Sequence, residues 1–326
     1  MKNVKKLLYR GVALMGAVVM FITTPAFAAE SHHGKGNGKH SNVSQDGISD
    51  ADREYWENVE WESFDIGAYE AEANELEAMQ EAEAGISLMY LEGAAGTWIQ
   101  ASDGRWWYKH TDGSYTTSSW EKINGKWYYF DAAGWMYTGW LNDNGTWYYL
   151  DPVSGAMQTG WILVKGRYYY CNSSGAMQTG WVYTNSKWYY CDETNGDWID
   201  NTGTKMIQEA FKYVGGKYVY GGNSLTTGVD CSGYVQQISK IYGITTPRTS
   251  SSQYASSAKV SYSNLQPGDL VFFSSSSDST KVTHVAFYVG RINGQDDMIV
   301  HAANSNDGII ISKMRSNIVG YGTYWR

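Results

Sequence analysis

Five aromatic triplets at near-constant spacing constrain this chain more than any other feature. Trp106-Trp107-Tyr108, Trp127-Tyr128-Tyr129, Trp147-Tyr148-Tyr149, Tyr168-Tyr169-Tyr170 and Trp188-Tyr189-Tyr190 begin 21, 20, 21 and 20 residues apart. So regular a period means stacked supersecondary units. Four triplets follow a Gly and then Arg, Lys or Thr, as in Asn124-Gly125-Lys126-Trp127, and the fifth follows Asn185-Ser186-Lys187. Gly-Trp pairs recur downstream at Gly139-Trp140, Gly160-Trp161 and Gly180-Trp181. Aromatic runs bounded by such turns are hairpin signals, and one hairpin cannot bury its apolar face alone. Residues 96–202 are therefore expected to form a solenoid of short β-hairpins. The position after each triplet is Lys109, then Phe130, Leu150, Cys171 and Cys191, apolar in every later unit. Cys171 and Cys191 are accordingly expected to fill the core, with a disulfide between them as the alternative.

The stretch from Asn124-Gly125-Lys126-Trp127-Tyr128-Tyr129 to Gly139-Trp140 resembles the choline-binding, or cell-wall-binding, repeat family, and the resemblance covers roughly Gly96 to Trp198. It implies aromatic cages between adjacent hairpins that take choline on teichoic acids, or another wall polymer or glucan in related repeats. A quaternary ammonium gains cation-π attraction over Trp and Tyr faces. Trp127, Trp140, Trp147 and Trp161 are the candidate ligand residues; the competing reading is that these rings only stack on one another as the solenoid core.

The N-terminus carries Lys2, Lys5, Lys6 and Arg10, then an apolar run from Gly11 to Ile22, then Ala26-Phe27-Ala28. Residues 1–28 are expected to be a secretory signal peptide, the run being too short to span a bilayer. Its removal takes the formal charge from −8 to −12, because four bases and no acids are lost. Attraction to nucleic acid or to an anionic membrane by net charge is thereby disfavoured. Residues 31–40 read as a flexible linker, in which His32, His33 and His40 are expected to be solvated rather than metal-bound. Fifteen acids against the single base Arg53 lie between Ser41 and Glu92. Residues 29–95 are expected to be acidic and mostly disordered, with a helix possible over Ala68–Ala84.

From about Thr204 ordinary globular patterning begins. Asp230-Cys231-Ser232-Gly233 precedes Val235, Ile238, Ile241 and Tyr242 on one helical face, with Gly243 at its end. Asp230 is then a helix N-cap and Cys231 sits in the first turn, where the helix dipole and free amides favour a thiolate. Two histidines follow, in Val282–Gly290 and Met298–Ala303, which read as strands of one hairpin joined by the turn Ile292–Asp297. Both imidazoles can then face the helix start, giving a thiol, a base and a third group that orients the base. Three cysteines are too few for a disulfide framework, and no Cys/His spacing suits zinc, so neither metal nor cofactor is implied.

Six pieces in order carry a second resemblance, to the NlpC-type family of papain-like cell-wall peptidases, over about Thr204 to Arg326. They are Tyr218-Val219-Tyr220-Gly221-Gly222, Asp230-Cys231-Ser232-Gly233, Pro247-Arg248-Thr249 with Gln253, Leu265 to Leu270, His284 to Gly290, and Val300-His301-Ala302. Tyr220 departs from the Trp found in many relatives. The resemblance implies a cysteine endopeptidase acting on peptidoglycan stem peptides, commonly between γ-linked D-glutamate and the following diamino acid. It makes Cys231 the nucleophile, His284 the base and then acid, and His301 the orienting group. The Cys231 amide, with the Tyr218 hydroxyl, would hold the oxyanion. Asp230 and Ser232 would face the substrate, Asp230 either as cap and specificity residue or as cap alone. Asp269 reads as structural, in a turn leading into Leu270–Phe273.

The expectation is thus an α+β, papain-like domain over 203–326, with a Cys-bearing helix packed on an antiparallel sheet, preceded by the hairpin solenoid. It describes a secreted, wall-associated hydrolase without a membrane span after signal removal. An amidase on the same fold, or an adhesion protein without activity, are the alternatives.

Overall fold

The computed structural model describes residues 48–86, 95–275 and 280–326. The expected signal peptide, the linker 31–40 and Ser276 and Ser277 lie outside the described residues.

The chain order begins with α1 (Asp50–Glu57), β1 (Ser63–Phe64) and α2 (Ile66–Ile86). α2 matches the helix expected over Ala68–Ala84, whereas α1 and β1 correct the expectation of disorder for residues 48–65. The Ser49 hydroxyl accepts from the Asp52 amide at 3.2 Å and the Asp52 carboxylate accepts from the Ser49 amide at 2.9 Å, a reciprocal cap that starts α1. Composition alone points to disorder because so many acids in one stretch read as a solvated, weakly structured segment. Here several of them accept hydrogen bonds from the folded body: Asp52 from Lys281 at 2.6 Å, Glu70 from Trp188 at 2.7 Å, Glu77 from Thr184 at 2.5 Å. Tyr55, Trp56, Trp61, Phe64 and Tyr69 pack against the same body and supply the apolar burial that offsets the entropy of ordering.

Five hairpins follow: β2 (Gly96–Gln100) with β3 (Trp106–His110), β4 (Ser119–Ile123) with β5 (Lys126–Phe130), β6 (Gly139–Asp143) with β7 (Thr146–Leu150), β8 (Gly160–Val164) with β9 (Arg167–Cys171), and β10 (Gly180–Thr184) with β11 (Lys187–Cys191). The turn Asn144-Gly145 has φ of 53° and 88°, both left-handed, which is the turn whose twist matches a two-residue hairpin. Backbone bonds tie the units together: the amides of Met136, Met157 and Met177 donate to the carbonyls of Trp106, Trp127 and Trp147 at 2.7, 2.8 and 2.8 Å. The slot after the triplet is interior in the last four units, with Phe130 1% and Leu150, Cys171 and Cys191 0% exposed, while Lys109 of the first unit is exposed. Both repeat cysteines are free thiols, so the disulfide alternative is not realised.

β12 (Trp198–Ile199) and α3 (Thr202–Phe211) lead into the C-terminal domain, with β13 (Asn223–Ser224), β14 (Gly228–Val229), α4 (Cys231–Ile241), α5 (Ser250–Ser256), β15 (Ala258–Val260), β16 (Leu270–Phe273), β17 (His284–Ile292), β18 (Gln295–Asn304), β19 (Gly308–Lys313) and β20 (Ile318–Thr323). A ten-stranded sheet runs β1-β19-β18-β17-β10-β11-β12, with β16 on β17 and β20, and β15 on β20. The last hairpin is thus part of the C-terminal sheet, through a parallel contact of Trp181 with Ile292. The indole N–H of Trp181 donates to the Val289 carbonyl at 2.8 Å.

Alternation along β17 and β18 divides this sheet into two apolar faces. Val285, Phe287, Val300 and Ala302 join Val235 and Ile238 of α4 on one face. Ala286, Tyr288 and Ile299 join Trp56 on the other. Lys217–Gly222 forms turns with one bridge, Tyr218 to Val229.

Candidate active site

Asp230 caps α4 by accepting from the Gly233 amide at 2.7 Å, which sets Cys231 as the first helical residue. Gly233 is required there: a Cβ would lie 2.4 Å from the Gly222 carbonyl oxygen. The Asp230 carboxylate is also gripped by both terminal nitrogens of Arg248, at 2.9 and 2.7 Å, and by the Gly221 amide at 3.0 Å. Ser232 donates to Asp230 at 3.2 Å and accepts from Arg248 at 3.0 Å. Gln253, fully buried, donates to the carbonyls of Ser232 and Pro247, both at 2.9 Å. Asp230 and Ser232 are therefore both engaged within the protein, and Arg248 is the organiser that sequence reading left without a role.

His284 opens β17 and His301 lies diagonally across on β18, since Phe287 pairs with Val300. Their rings meet through His284 Nε2 and His301 Nδ1 at 2.8 Å, and His301 Nε2 meets the Ser312 hydroxyl at 3.0 Å. The pair lies on the sheet face that carries Trp56, not on the face beneath α4. His284, at the strand's first position, reaches a cavity of about 120 Å³ whose wall it shares with Cys231, Tyr218, Asp230 and Ser232. Trp56, Arg53 and Glu57 of α1 complete that wall.

Burial shapes the site's electrostatics. It pushes the Cys231 thiol up to about 12, the Asp230 charge adding to it, while the Val285 and Ser232 amides pull the other way. The expected thiolate-favouring effect of the helix start is outweighed by dehydration of Cys231, which is only 6% exposed. Burial lowers His284 to about 3, and burial together with the neighbouring ring holds His301 well below the ordinary imidazole value. The Tyr218 hydroxyl is raised, by burial first and then by the negative charge that Cys231 and Asp230 can carry. The substrate-free centre thus holds a neutral thiol beside neutral imidazoles.

Asp269 is buried in its turn, accepting from the Gln266 amide at 2.9 Å and from Arg326. Among the described residues no group of three His, Cys, Asp or Glu side chains is arranged to hold a metal. In the repeats, Trp127 and Trp147 are 36% and 43% exposed. Trp140 stands edge-on to Tyr149 and Tyr169, both at 5.0 Å, and Trp161 lies at 5.2 Å from Tyr170 and 5.0 Å from Tyr189. Trp127 and Trp147 therefore offer open faces, whereas the triplet residue Trp188 is buried and the Gly-Trp rings Trp140 and Trp161 also pack between hairpins.

A cysteine at the first position of a helix packed on an antiparallel sheet that carries a histidine pair is a papain-like cysteine peptidase architecture. Residues 215–324 match the NlpC/P60 family. Residues 116–159 and 158–202 match the choline-binding repeat. The chain is similar to "Probable endopeptidase p60" of Listeria seeligeri, 45% identical over 36% of this chain and 21% of that one. It is also similar to the "Bifunctional muramidase/DL-endopeptidase CwlT" of Bacillus subtilis, 41% identical over 37% of this chain and 33% of that one. A crystal structure of choline binding protein F from Streptococcus pneumoniae matches 33% of this chain and 36% of its own at 44% identity, with a TM-score of 0.31. The chain spans about a fifth to a third of the length of these two curated relatives.

Proposed function

We propose that the protein is a secreted peptidoglycan hydrolase, a cysteine endopeptidase that cuts stem peptides at the bond between γ-linked D-glutamate and the diamino acid. The observation that carries this reading is the single cavity whose wall contains Cys231 at a helix start and His284 bonded to His301. A consistent proton chain supports the roles. If His284 Nε2 donates to His301 Nδ1, then His301 Nε2 donates to Ser312, and His284 Nδ1 is left as the base. The Cys231 proton passes to that nitrogen as sulfur bonds to the substrate carbonyl carbon. The resulting oxyanion is met by the Cys231 amide and the Tyr218 hydroxyl. The proton then goes to the leaving amine, and water hydrolyses the thioester to release the acid and restore the thiol.

The hairpins would hold the enzyme on a wall polymer, choline-bearing teichoic acid first among the choices, through open faces such as Trp127 and Trp147 with Trp140 and Trp161 beside them. Tethering raises the effective substrate concentration at the cavity. Digestion of purified peptidoglycan followed by mass spectrometry of the fragments tests the reading. Fragments ending in D-glutamate support it, glycan freed of its peptide would make the enzyme an amidase, and no release would favour an adhesion protein. Elution from walls by free choline tests the ligand.

A further inference from the structure

The acidic segment does more than decorate the domain surface. The Trp56 ring lies 4.6 Å from the His284 ring, tilted by 31°. Trp61 stands edge-on to His301 at 4.3 Å and stacks on Trp56 at 5.9 Å and 10°. The bond between the two imidazoles is thus roofed by two indoles. Trp56 is itself locked, donating from Nε1 to Thr283 at 3.1 Å and accepting at its carbonyl from Asn304 at 3.2 Å. Beyond Trp61 the chain continues into β1, where Ser63 pairs with Ser312, the residue whose hydroxyl ends the imidazole chain.

We propose that this segment is part of the catalytic centre, with Trp56 and Trp61 as positioning residues that shut water away from the His284–His301 bond and hold the base toward the cavity. The inference rests on the reading of Cys231 and His284 as nucleophile and base. A hydrogen bond in a dry, low-dielectric setting is stronger and better directed than one that competes with water. The roof is integral rather than a removable plug: Trp56 is 6% exposed and shares a core cluster with Phe273, Ala286, Tyr288 and Ile299. Withdrawing it would strip a whole face of the sheet. The charged groups around the pair are Arg53, Glu57 and Asp230 at the cavity wall and Arg315, 5.5 Å over the Trp61 ring. Cys231, Tyr218 and Tyr220 are the other titratable groups at that wall.

Trp61 is the residue to change, since it is only half-buried and the core retains Trp56. In the full chain, Trp61→Ala is expected to lower kcat on a γ-D-glutamyl-diamino acid peptide about tenfold, with KM within about twofold. Hydrating the pair moves its acidity toward ordinary values, so the acid limb of kcat/KM shifts to higher pH. Trp61→Phe restores most of kcat and of the profile. In the substrate-free protein, nitrogen-15 NMR of the imidazoles shows His284 titrating at higher pH in Trp61→Ala. Unchanged kcat, profile and titration would overturn the inference. So would faster turnover by Trp61→Ala, or by a chain lacking residues 42–65, because the segment would then be a cover. A wild-type chain that does not cleave the peptide would instead break the reading of Cys231, and the NMR titration, which needs no substrate, still decides whether the indoles govern the pair.

Discussion

The hairpin repeats and the C-terminal domain each bury cysteine thiols. Burial pushes Cys171, Cys191 and Cys231 to the same height, about 12. Acidity therefore does not separate a packing thiol from a proposed nucleophile. Neighbours do: Cys171 sits with Ile162, Val164 and Met177, whereas Cys231 heads a helix and shares a cavity with an imidazole. A buried thiol beside a neutral base can wait unreactive and be deprotonated only when substrate supplies the electrophile. Slow alkylation of Cys231 at neutral pH is thus compatible with an active enzyme, and turnover is the better test.

The largest effect expected from this contrast is on cleavage. Cys231→Ala loses at least about 10⁴-fold in kcat, while Cys171→Ala and Cys191→Ala stay within about twofold, measured by chromatography of released muropeptides. Turnover by Cys231→Ala would erase the distinction. Next, His301→Ala lowers kcat about 10²-fold, because His284 loses the acceptor that sets its tautomer; a loss confined to KM would deny His301 an orienting role.

Acid then distinguishes the two regions by stability. His284 titrates near 3 when folded against an ordinary 6.5, so between these values the unfolded chain binds more protons. The stabilisation is complete above about 6.5 and is lost as the pH falls toward 3, by up to about 1.4 kcal/mol per pH unit for each such imidazole. His301 acts in the same direction. Calorimetry from pH 7 to 4 should show the C-terminal domain falling in melting temperature faster than the repeats, and parallel shifts would contradict the buried neutral pair. The smallest effect is in packing: Cys171→Ala destabilises by about 1–2 kcal/mol through a void in the repeat core. Cys231→Ala, at a cavity wall, costs less, and thermal denaturation of the two variants side by side checks the order.

Much of this was legible in the sequence because the signals are local. Period and turn chemistry foretold the hairpins, and the apolar slot foretold that Cys171 and Cys191 are interior. Asp230 before Cys231 foretold a capped helix, and the strands around His284 and His301 were visible as short, nearly continuous apolar runs. Within 48–86 the helix over Ala68–Ala84 was legible, but the order of the rest was not, because thirteen acids outweigh five aromatics in the count, although Trp56 and Trp61 were the residues to notice. Aromatic rings in an otherwise solvating stretch point to a surface elsewhere that receives them. Arg248 was visible as part of a motif, but its two bonds to Asp230 join residues 18 apart and have no local signature.

The sequence by itself determined the repeat, its register and the identities of the thiol and imidazoles, since these depend on spacing and residue type along a few neighbouring positions. Tertiary structure alone decided that the imidazoles sit on the sheet face away from α4 and that two distant indoles roof them. It also decided that dehydration overrides the helix dipole at Cys231. Each is a matter of which surfaces meet across long stretches of chain, 227 residues for Trp56 and Thr283, and burial, which sets the acidities, exists only once they have met.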